Sequence, residues 1–216
     1  VLNNPNSLSS PNIKSLLEDD QGTLWVGTYG GGLTSIIRQQ RTFAPYIIED
    51  RNGKSPADPS ILALYVEKSS RAWIGTCSGL VRWDPVRKEI LRVLDACVQT
   101  IVLDHDEQLW IGTTEGLYQS DLEWQAFHLY RHDPADESSL SSNHIRSLLW
   151  TKSGVLWIGT ANGLNRYEPS RDSFTRFSHD PRHPDSLVHN EVTTLLEDSA
   201  GGLWIGAAKG RQALQR

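Results

Sequence analysis

The chain has 216 residues, a net charge of −5 and 38% hydrophobic residues, values that are ordinary for a soluble protein of one or two globular domains. The charge gives no support for binding to nucleic acid or to an anionic membrane surface. No stretch approaches the roughly 20 apolar residues of a membrane-spanning helix, and the first residues lack the features of a signal peptide.

Methionine is absent from the whole sequence, even at position 1, so we expect a processed chain or a segment of a longer protein. The two cysteines, Cys77 and Cys97, are too few for a disulfide framework. We expect them to be isolated thiols, and the sequence leaves their pairing open.

A unit of the type Leu-Trp-Ile-Gly-Thr occurs five times along the chain. The copies are Leu24–Thr28, Ala72–Thr76, Leu109–Thr113, Leu156–Thr160 and Leu203–Ala207. Their tryptophans are 48, 37, 47 and 47 residues apart. This spacing fits a four-stranded propeller blade of roughly 40–50 residues, whereas helical repeats would need long stretches of 3.6-residue periodicity that the sequence lacks.

Each unit reads as four short strands, of which the Trp-containing run is the second. The predicted first strands are Ile13–Leu17, Ile61–Val66, Val98–Leu103, Ile145–Trp150 and Val192–Leu196. Their apolar residues do not alternate cleanly, which predicts strands that are buried on both faces. The third strands begin at Leu33, Leu80, Leu117 and Leu164, and Pro85 and Pro169 end two of them. The predicted outer strands lie at Phe43–Ile48, Ile90–Leu94, Trp124–Tyr130 and Phe174–Phe177.

These strands predict an all-β fold, a β-propeller of four-stranded antiparallel blades. We expect four complete blades and a partial fifth, at residues 7–52, 53–95, 96–137, 138–184 and 185–216. Ten residues follow Gly206, enough for one more strand. Since propellers close into rings of 4–8 blades, we expect an incomplete or poorly closed ring.

The segment Leu156–Tyr167, of the form Leu-Trp-Ile-Gly-Thr-x-x-Gly-Leu-x-Arg-Tyr, resembles the two-component-regulator propeller repeat. The linker Ser139–Asn143, which Ser7–Ser10 repeats, fits as well. The resemblance implies the periplasmic or extracytoplasmic sensor region of a large membrane-bound receptor. In such receptors paired propellers precede a transmembrane helix and a histidine kinase or diguanylate cyclase, and many sense carbohydrate fragments. This chain carries no segment of those output types.

Repetition separates framework from function, because every blade solves the same packing problem. The five strand-two tryptophans are therefore predicted to pack between blades. Trp83, Trp124 and Trp150 break the repeat; we expect core or surface packing for them, with ligand contact as the alternative. Asp19, Asp104 and Asp198 recur in one turn, which indicates turn formers rather than an acid–base pair.

The candidate ligand-binding residues lie where the chain enters the first strands or leaves the Gly-Thr pairs. They are Tyr29, Thr114, Glu115, Asn143, His144, Asn162, His189 and Asn190. All are expected on the face where ring-shaped propellers bind ligands, and their mostly uncharged chemistry favours a neutral polar ligand. His144 and His189 have no obvious third partner, so we expect neither a metal site nor a cofactor.

The leading hypothesis is a non-enzymatic ligand-sensing or interaction module of a signalling receptor. Its expected partners are a small molecule or oligosaccharide, a neighbouring propeller or a second receptor subunit, without membrane contact by this segment. A propeller lyase is one alternative, although the sequence lacks a nucleophile elbow, a phosphate loop and a His-Glu-x-x-His motif. The other alternative is a purely structural or protein-binding propeller fragment, for which we expect an exposed apolar edge.

Overall fold

The computed structural model describes residues 7–19, 21–37, 42–46, 48–53, 55, 58–67, 71–208 and 210–214. Every regular element in these ranges is a β-strand, and the strands form five antiparallel sheets. The chain divides into two compact units, Val1–Val98 and Gln99–Arg216.

The first unit holds two four-stranded sheets, which are blades 1 and 2. Blade 1 comprises β1 (Ile13–Glu18), β2 (Thr23–Thr28), β3 (Gly32–Ile37) and β4 (Thr42–Tyr46). Blade 2 comprises β5 (Ala63–Val66), β6 (Ala72–Thr76), β7 (Gly79–Asp84) and β8 (Glu89–Leu94). In both blades each strand pairs with the next one along the chain.

The second unit holds the remaining three sheets, although β9 begins at the last residue of the first unit. Blade 3 comprises β9 (Val98–Leu103), β10 (Leu109–Thr113), β11 (Leu117–Ser120) and β12 (Phe127–Tyr130). Blade 4 comprises β13 (Ile145–Trp150), β14 (Leu156–Thr160), β15 (Gly163–Glu168) and β16 (Ser173–Phe177). Blade 5 has three strands, β17 (Val192–Glu197), β18 (Leu203–Ala207) and β19 (Gly210–Leu214).

The predicted strand order is confirmed, including the single strand after Gly206 and the ends of β7 and β15 directly before proline. The predicted start of the outer strand of blade 3 at Trp124 is wrong, because β12 begins at Phe127. The carboxylate of Asp121 accepts the N–H groups of Gln125 and Ala126, and Trp124 has a φ of 56°, so these residues form a turn. Residue 47 of one predicted strand and residue 209 of one predicted turn lie outside the described residues.

The turn between the first two strands of a blade is stabilised by a carboxylate and the tryptophan that follows it. The Asp19 carboxylate accepts the N–H groups of Gln21 and Thr23 and the indole N–H of Trp25, the last at 2.8 Å. Asp104 and Asp198 bind Trp110 and Trp204 in the same way, and Glu67 accepts the indole N–H of Trp73.

Within each unit the apolar core lies between consecutive blades. We call the face of a blade that points to the preceding blade its leading face, and the opposite face its trailing face. Between blades 4 and 5, Leu149 and Trp157 on the trailing face of blade 4 pack with Val192, Leu195 and Ile205 on the leading face of blade 5. Trp25, Trp110 and Trp157 therefore pack between blades, as the sequence predicts. The prediction is wrong for Trp204, which is 46% exposed.

The strand-two glycine of a blade gives the next blade room to approach. A Cβ at Gly159 would lie 2.7 Å from Cγ1 of Val192, the first residue of β17. A Cβ at Gly112 would lie 2.6 Å from Cγ2 of Ile145. In the first unit, a Cβ at Gly27 would collide with Ile61 and one at Gly75 with Val98. Since any side chain would fill this space, glycine is required by packing rather than by its backbone angles.

Burial of the first strands on both faces is confirmed for β13, which packs against β10 and β17, but it is wrong for β1 and β17. β1 packs against β5 on one side, and Ile13 and Leu16 are exposed. In β17, Leu196 on the trailing face is exposed. The sequence pattern is the same in all these strands, whereas the burial depends on whether a neighbouring blade covers the face.

Candidate functional site

The predicted site residues lie on turns that the repeat itself builds. In blade 4 the hydroxyl of Thr160 donates to the carbonyl of Gly163 at 2.9 Å and accepts the N–H of Asn162 at 3.0 Å. Thr113 makes the same two bonds in blade 3 with Gly116 and Glu115. Because the threonine fixes the turn, the side chains of Glu115 and Asn162 stay exposed beside it.

The turn after the Gly-Thr pair is bonded to the segment that enters the first strand of the same blade. The N–H of Ala161 donates to the carbonyl of His144 at 3.0 Å. The N–H of Ala208 donates to the carbonyl of Glu191 at 3.0 Å, and the N–H of Tyr29 donates to the carbonyl of Asn12 at 2.8 Å. The residue before each of these first strands is therefore held beside a turn.

Five polar residues at the start of blades 4 and 5 form what we call the rim cluster. They are His144, Arg146, Asn162, His189 and Glu191. The guanidinium of Arg146 pairs with the carboxylate of Glu191 at 2.8 Å, across the two blades, and each side chain is 34% exposed. The N–H of Gly163, beside Asn162, donates to the carbonyl of Asn190 at 2.6 Å, which brings this turn to the segment that carries His189.

The electrostatics of the rim cluster favour the neutral form of one of its two histidines, His144. Burial lowers the pKa of His144, the positive charge of Arg146 lowers it further, and the carboxylate of Glu191 opposes them. Nδ1 of His189 accepts the backbone N–H of Glu191 at 3.1 Å. Nε of Arg146 is buried and has no hydrogen-bond partner among the described residues. The cluster thus combines a histidine whose neutral form is favoured with an ion pair whose two charges offset each other.

Asn143 and Asn190 act as braces for the linkers. The Asn143 side-chain oxygen accepts the N–H of His132 at 2.7 Å, and that of Asn190 accepts the N–H of His179 at 2.6 Å. The two contacts are 47 residues apart and equivalent in the repeat. The two asparagines therefore hold the linkers in place. The sequence did not indicate this role, because Asn143 and Asn190 are adjacent to His144 and His189 and were grouped with them as ligand-binding candidates.

Among the described residues, no hydrogen bond joins Thr114, Glu115 or Tyr29 to the rim cluster. Thr114 and Glu115 belong to blade 3, where the Glu115 carbonyl accepts Nε of Arg131 at 3.3 Å. Tyr29 belongs to the first unit, is exposed, and has the ammonium of Lys14 at 5.9 Å from its ring centroid. Arg146 and Glu191 were missed by the sequence reasoning, although they break the repeat at their positions.

Two open clefts lie away from every predicted site residue. A cleft of about 500 Å³ is lined by Glu137, Ser138, Phe174, Thr175 and Arg176. The guanidinium of Arg176 bonds the carbonyls of Asp136 and Ser139 at 2.7 and 2.8 Å and so holds the linker. A second cleft of about 300 Å³ lies in the first unit, where Arg71 and Asp84 pair at 2.9 Å. In each cleft the arginine named here is thus held by partners within the fold.

The three tryptophans that break the repeat have structural surroundings. Trp83 is buried and lies edge-on to Tyr46, with ring centroids 5.1 Å apart. Trp150 packs against the core between blades 3 and 4. Trp124 donates its indole N–H to the carbonyl of Glu107 at 2.8 Å. The expectation of packing is confirmed for Trp83 and Trp150, and it stays a prediction for Trp124.

Within the described ranges, no three His, Cys, Asp or Glu side chains converge as metal ligands would. Nor do these residues include a helix that could span a membrane.

The profile of the two component regulator propeller family matches residues 7–30, 139–162 and 186–209. Each match covers a linker, the first two strands and the following turn, in blades 1, 4 and 5. Comparison with curated protein sequences gives no match.

Several solved structures are similar in fold. One is an extracellular domain assigned to a hybrid two component system of B. thetaiotaomicron, with a TM-score of 0.76 and 23% identity over 94% of this chain and 27% of that one. A second such domain from the same organism has a TM-score of 0.73 and 24% identity over 99% of this chain and 29% of that one. The chain thus spans less than a third of these two structures.

Virginiamycin B lyase from Staphylococcus aureus is also similar, with a TM-score of 0.66 and 12% identity over 99% of this chain and 71% of the lyase. At these identities the likeness to solved structures concerns the fold, which is a β-propeller in blades of antiparallel strands. The two component regulator propeller match is confined to the three segments named above, which together make up a third of the chain.

Proposed function

We propose that this propeller is a non-enzymatic recognition module of an extracytoplasmic signalling receptor, and that the rim cluster is its contact surface. The observation that carries the proposal is the Arg146–Glu191 ion pair, which joins two blades at 2.8 Å and leaves each side chain 34% exposed. Other blades carry Lys14, Leu62, Gln99 or Thr193 in place of Arg146. A residue that changes from blade to blade is not needed for the shared packing and is available for recognition.

The comparisons support the receptor context. Two structures with the same fold are extracellular domains assigned to hybrid two component systems. The extracytoplasmic location and the signalling role of this chain rest on that likeness.

The chemistry of the rim cluster favours a neutral polar ligand such as an oligosaccharide. A guanidinium and a carboxylate that neutralise each other do not attract a phosphate, but they offer a planar donor set and acceptors for hydroxyl groups. His144 is neutral at pH 7 and adds a further donor and acceptor. Asn162, exposed on the adjacent turn, adds an amide.

Binding of soluble oligosaccharides tests this proposal. We would screen the chain against cello-, malto- and xylo-oligosaccharides by thermal shift and measure any binder by calorimetry. Arg146→Gln should weaken binding about tenfold or more, since a hydrogen bond to a charged group contributes about 1.5–3 kcal/mol. Arg171→Gln, at an exposed turn of blade 4, is the matched control and should bind as the wild type does. A panel without any binder, or a binder that Arg146→Gln leaves unaffected, would contradict the proposal.

A propeller lyase remains the second candidate, because His144 is held neutral and lies within electrostatic reach of the Glu191 carboxylate. A neutral histidine is the form that abstracts a proton. Against this, Glu191 is already paired with Arg146. Incubation with virginiamycin B, followed by mass spectrometry, separates the two functions. Turnover that is lost in both His144→Ala and His189→Ala would establish an enzyme and overturn the non-enzymatic proposal.

A further inference from the structure

The contact layer between blades 3 and 4 contains a carboxylate that serves two tyrosines. The hydroxyl of Tyr130, in β12, donates to Oδ1 of Asp172 at 2.6 Å. The hydroxyl of Tyr167, in β15, donates to the same oxygen at 2.8 Å. Asp172 lies in the turn between β15 and β16. This layer thus supplies its hydrogen-bond donors and also their acceptor.

The strand pairing of blades 1 and 2 identifies the residues that are equivalent to these three. They are Tyr46 for Tyr130, Trp83 for Tyr167 and Lys88 for Asp172. Lys88 has a φ of 51°, close to the 48° of Asp172, so the two turns have the same backbone shape. Tyr46 and Trp83 are in contact, with ring centroids 5.1 Å apart, as the two tyrosines are at 5.9 Å.

The layer between blades 1 and 2 keeps two donors, but its turn has no carboxylate to accept from them. Trp83 is 5% exposed, and its indole nitrogen is buried without a hydrogen-bond partner among the described residues. The hydroxyl of Tyr46 also has no hydrogen bond in this part of the chain, and burial raises the pKa of Tyr46, so it keeps its proton. Lys88 carries a further donor in place of the acceptor.

The layer between blades 4 and 5 indicates that these donors are not part of the shared framework. Phe177 stands at the position of Tyr46, and Leu214 stands at that of Trp83. Neither side chain can donate a hydrogen bond. Because blades pair in this chain without donors at the two positions, Tyr46 and Trp83 are not needed as donors for packing. A buried N–H without an acceptor costs free energy, which favours a ligand that supplies one.

We propose that a small organic carboxylate binds between blades 1 and 2 at Tyr46, Trp83 and Lys88, which we call the seam site. One oxygen of the ligand takes the role that Oδ1 of Asp172 has between blades 3 and 4, and the ammonium group of Lys88 offsets the charge. A planar carboxylate fits better than a tetrahedral phosphate, since the group it replaces is itself a carboxylate. The ligand is small because Trp83 exposes little of its surface.

The seam site lies in the first unit and does not depend on the function proposed for the rim cluster. Its test uses the indole N–H signals of ¹⁵N-labelled protein, because a new acceptor moves the proton signal of its donor to higher chemical shift. The Trp83 signal is the one that Trp83→Phe removes. Sodium acetate at constant ionic strength should move this signal with saturation and leave those of the other tryptophans in place. Galacturonate should act in the same way, whereas galactose, which lacks the carboxylate, should not.

Lys88→Asp gives blade 2 the carboxylate that blade 4 already has. The Trp83 signal should then start at its shifted position and no longer respond to acetate, and the melting temperature should rise by about 2–4 °C. Arg87→Asp is the matched control, since it makes the same change of charge one residue earlier at an exposed side chain. This control should respond to acetate as the wild type does.

Tyr46→Phe provides a second variant that keeps the aromatic ring and removes only the hydroxyl. It should weaken acetate binding about threefold to tenfold, the loss expected for one hydrogen bond. Circular dichroism checks that each variant is folded. If Trp83→Phe does not fold, the saturable rise of the melting temperature with acetate, present in the wild type and absent in Lys88→Asp, replaces the signal as the readout.

Three results would overturn the seam site. The first is a Trp83 signal, or a melting temperature, that neither acetate nor galacturonate changes. The second is an effect of galactose as large as that of galacturonate, because the carboxylate would then not be recognised. The third is an equal loss of the response in Lys88→Asp and Arg87→Asp, which indicates a general attraction of anions to positive charge. None of these results depends on whether oligosaccharides bind at Arg146.

Discussion

Four of the five strand-two tryptophans donate their indole N–H to a carboxylate in the turn that precedes them, each at 2.8 Å. Blade 4 has Thr151 at this position, and its hydroxyl bonds to Val155 within the turn. At the scale of single residues, each carboxylate thus connects a turn to the apolar layer between blades.

Removal of the most deeply buried of these carboxylates should cost the most stability. We expect Asp104→Ala to lower the free energy of unfolding by about 1–3 kcal/mol, because Trp110 keeps a buried N–H without an acceptor. Urea denaturation measures the change. Asp106→Ala, two residues away and exposed, should change it by less than about 0.5 kcal/mol. Equal losses in the two variants would contradict a role for the indole bond.

The same contact predicts how stability depends on pH. The hydrogen bond from Trp204, and then that from the N–H of Gly202, lower the pKa of Asp198 below the ordinary 3.8. Because the folded state has the lower pKa, this stabilisation is complete above about pH 4–5 and is lost as the pH falls through the folded-state value. The difference in unfolding free energy between wild type and Asp198→Asn should therefore shrink from pH 6 to pH 2.5. A constant difference in chemical denaturation would refute this.

At the scale of strands, the close approach of blades depends on a glycine in the second strand. Gly159→Ala would place a methyl group 2.7 Å from Val192 and should lower the free energy of unfolding by about 1–3 kcal/mol. Gly206→Ala meets only the exposed Thr194, which can turn away, and should change it by less than about 1 kcal/mol. Thermal and urea melts of the pair measure both changes. The interpretation fails if the two substitutions cost the same.

The two cysteines connect the turn after β6 to the segment before β9. The structure has no disulfide between them, which confirms the expectation of two thiols, but their sulfur atoms lie 2.8 Å apart and are in contact. Chain topology brings together residues 20 positions apart, a proximity that spacing alone does not reveal.

Oxidation should link these cysteines. With oxidised glutathione, Cys77 and Cys97 give up two protons and two electrons, a disulfide forms, and two molecules of reduced glutathione are released. Closing a loop of this length should stabilise the fold by about 3 kcal/mol. Thiol titration should fall from two groups to none, and the melting temperature should rise. Cys97→Ser should show neither change, and a wild type that keeps both thiols would contradict the prediction.

Strand order, turns and the repeat could be predicted because they depend on local patterns that recur five times. The candidate site could be predicted only in part. His144, Asn162 and His189 lie in the rim cluster, but Asn143 and Asn190 hold linkers, and the sequence did not reveal that Arg146 pairs with Glu191 across two blades. A contact between residues 45 positions apart depends on how consecutive blades are placed, which no single repeat encodes.

At the scale of the whole molecule, burial varies along a chain whose sequence repeats. β1 and β13 share four of six residues and both are first strands, yet β13 is largely buried and β1 is largely exposed. Backbone amides exchange through local opening, which is easier where few apolar contacts hold a strand.

Hydrogen exchange should therefore distinguish the two strands. The amides of β1 should exchange much faster than those of β13. Mass spectrometry of peptides that cover the two strands measures this, and their similar sequences keep the intrinsic exchange rates close. Equal protection of the two strands would show that stability is uniform along the chain.

The recurring glycine and its β-branched partner also have a consequence for how such chains change over generations. At each junction one blade contributes a strand-two glycine, and the next blade contributes the β-branched residue that fills the space beside it. If about 47 residues are duplicated or lost between equivalent positions of two blades, the new boundary again places a strand-two glycine beside a β-branched residue. The number of blades can thus change by whole repeats while the packing between the remaining blades is kept.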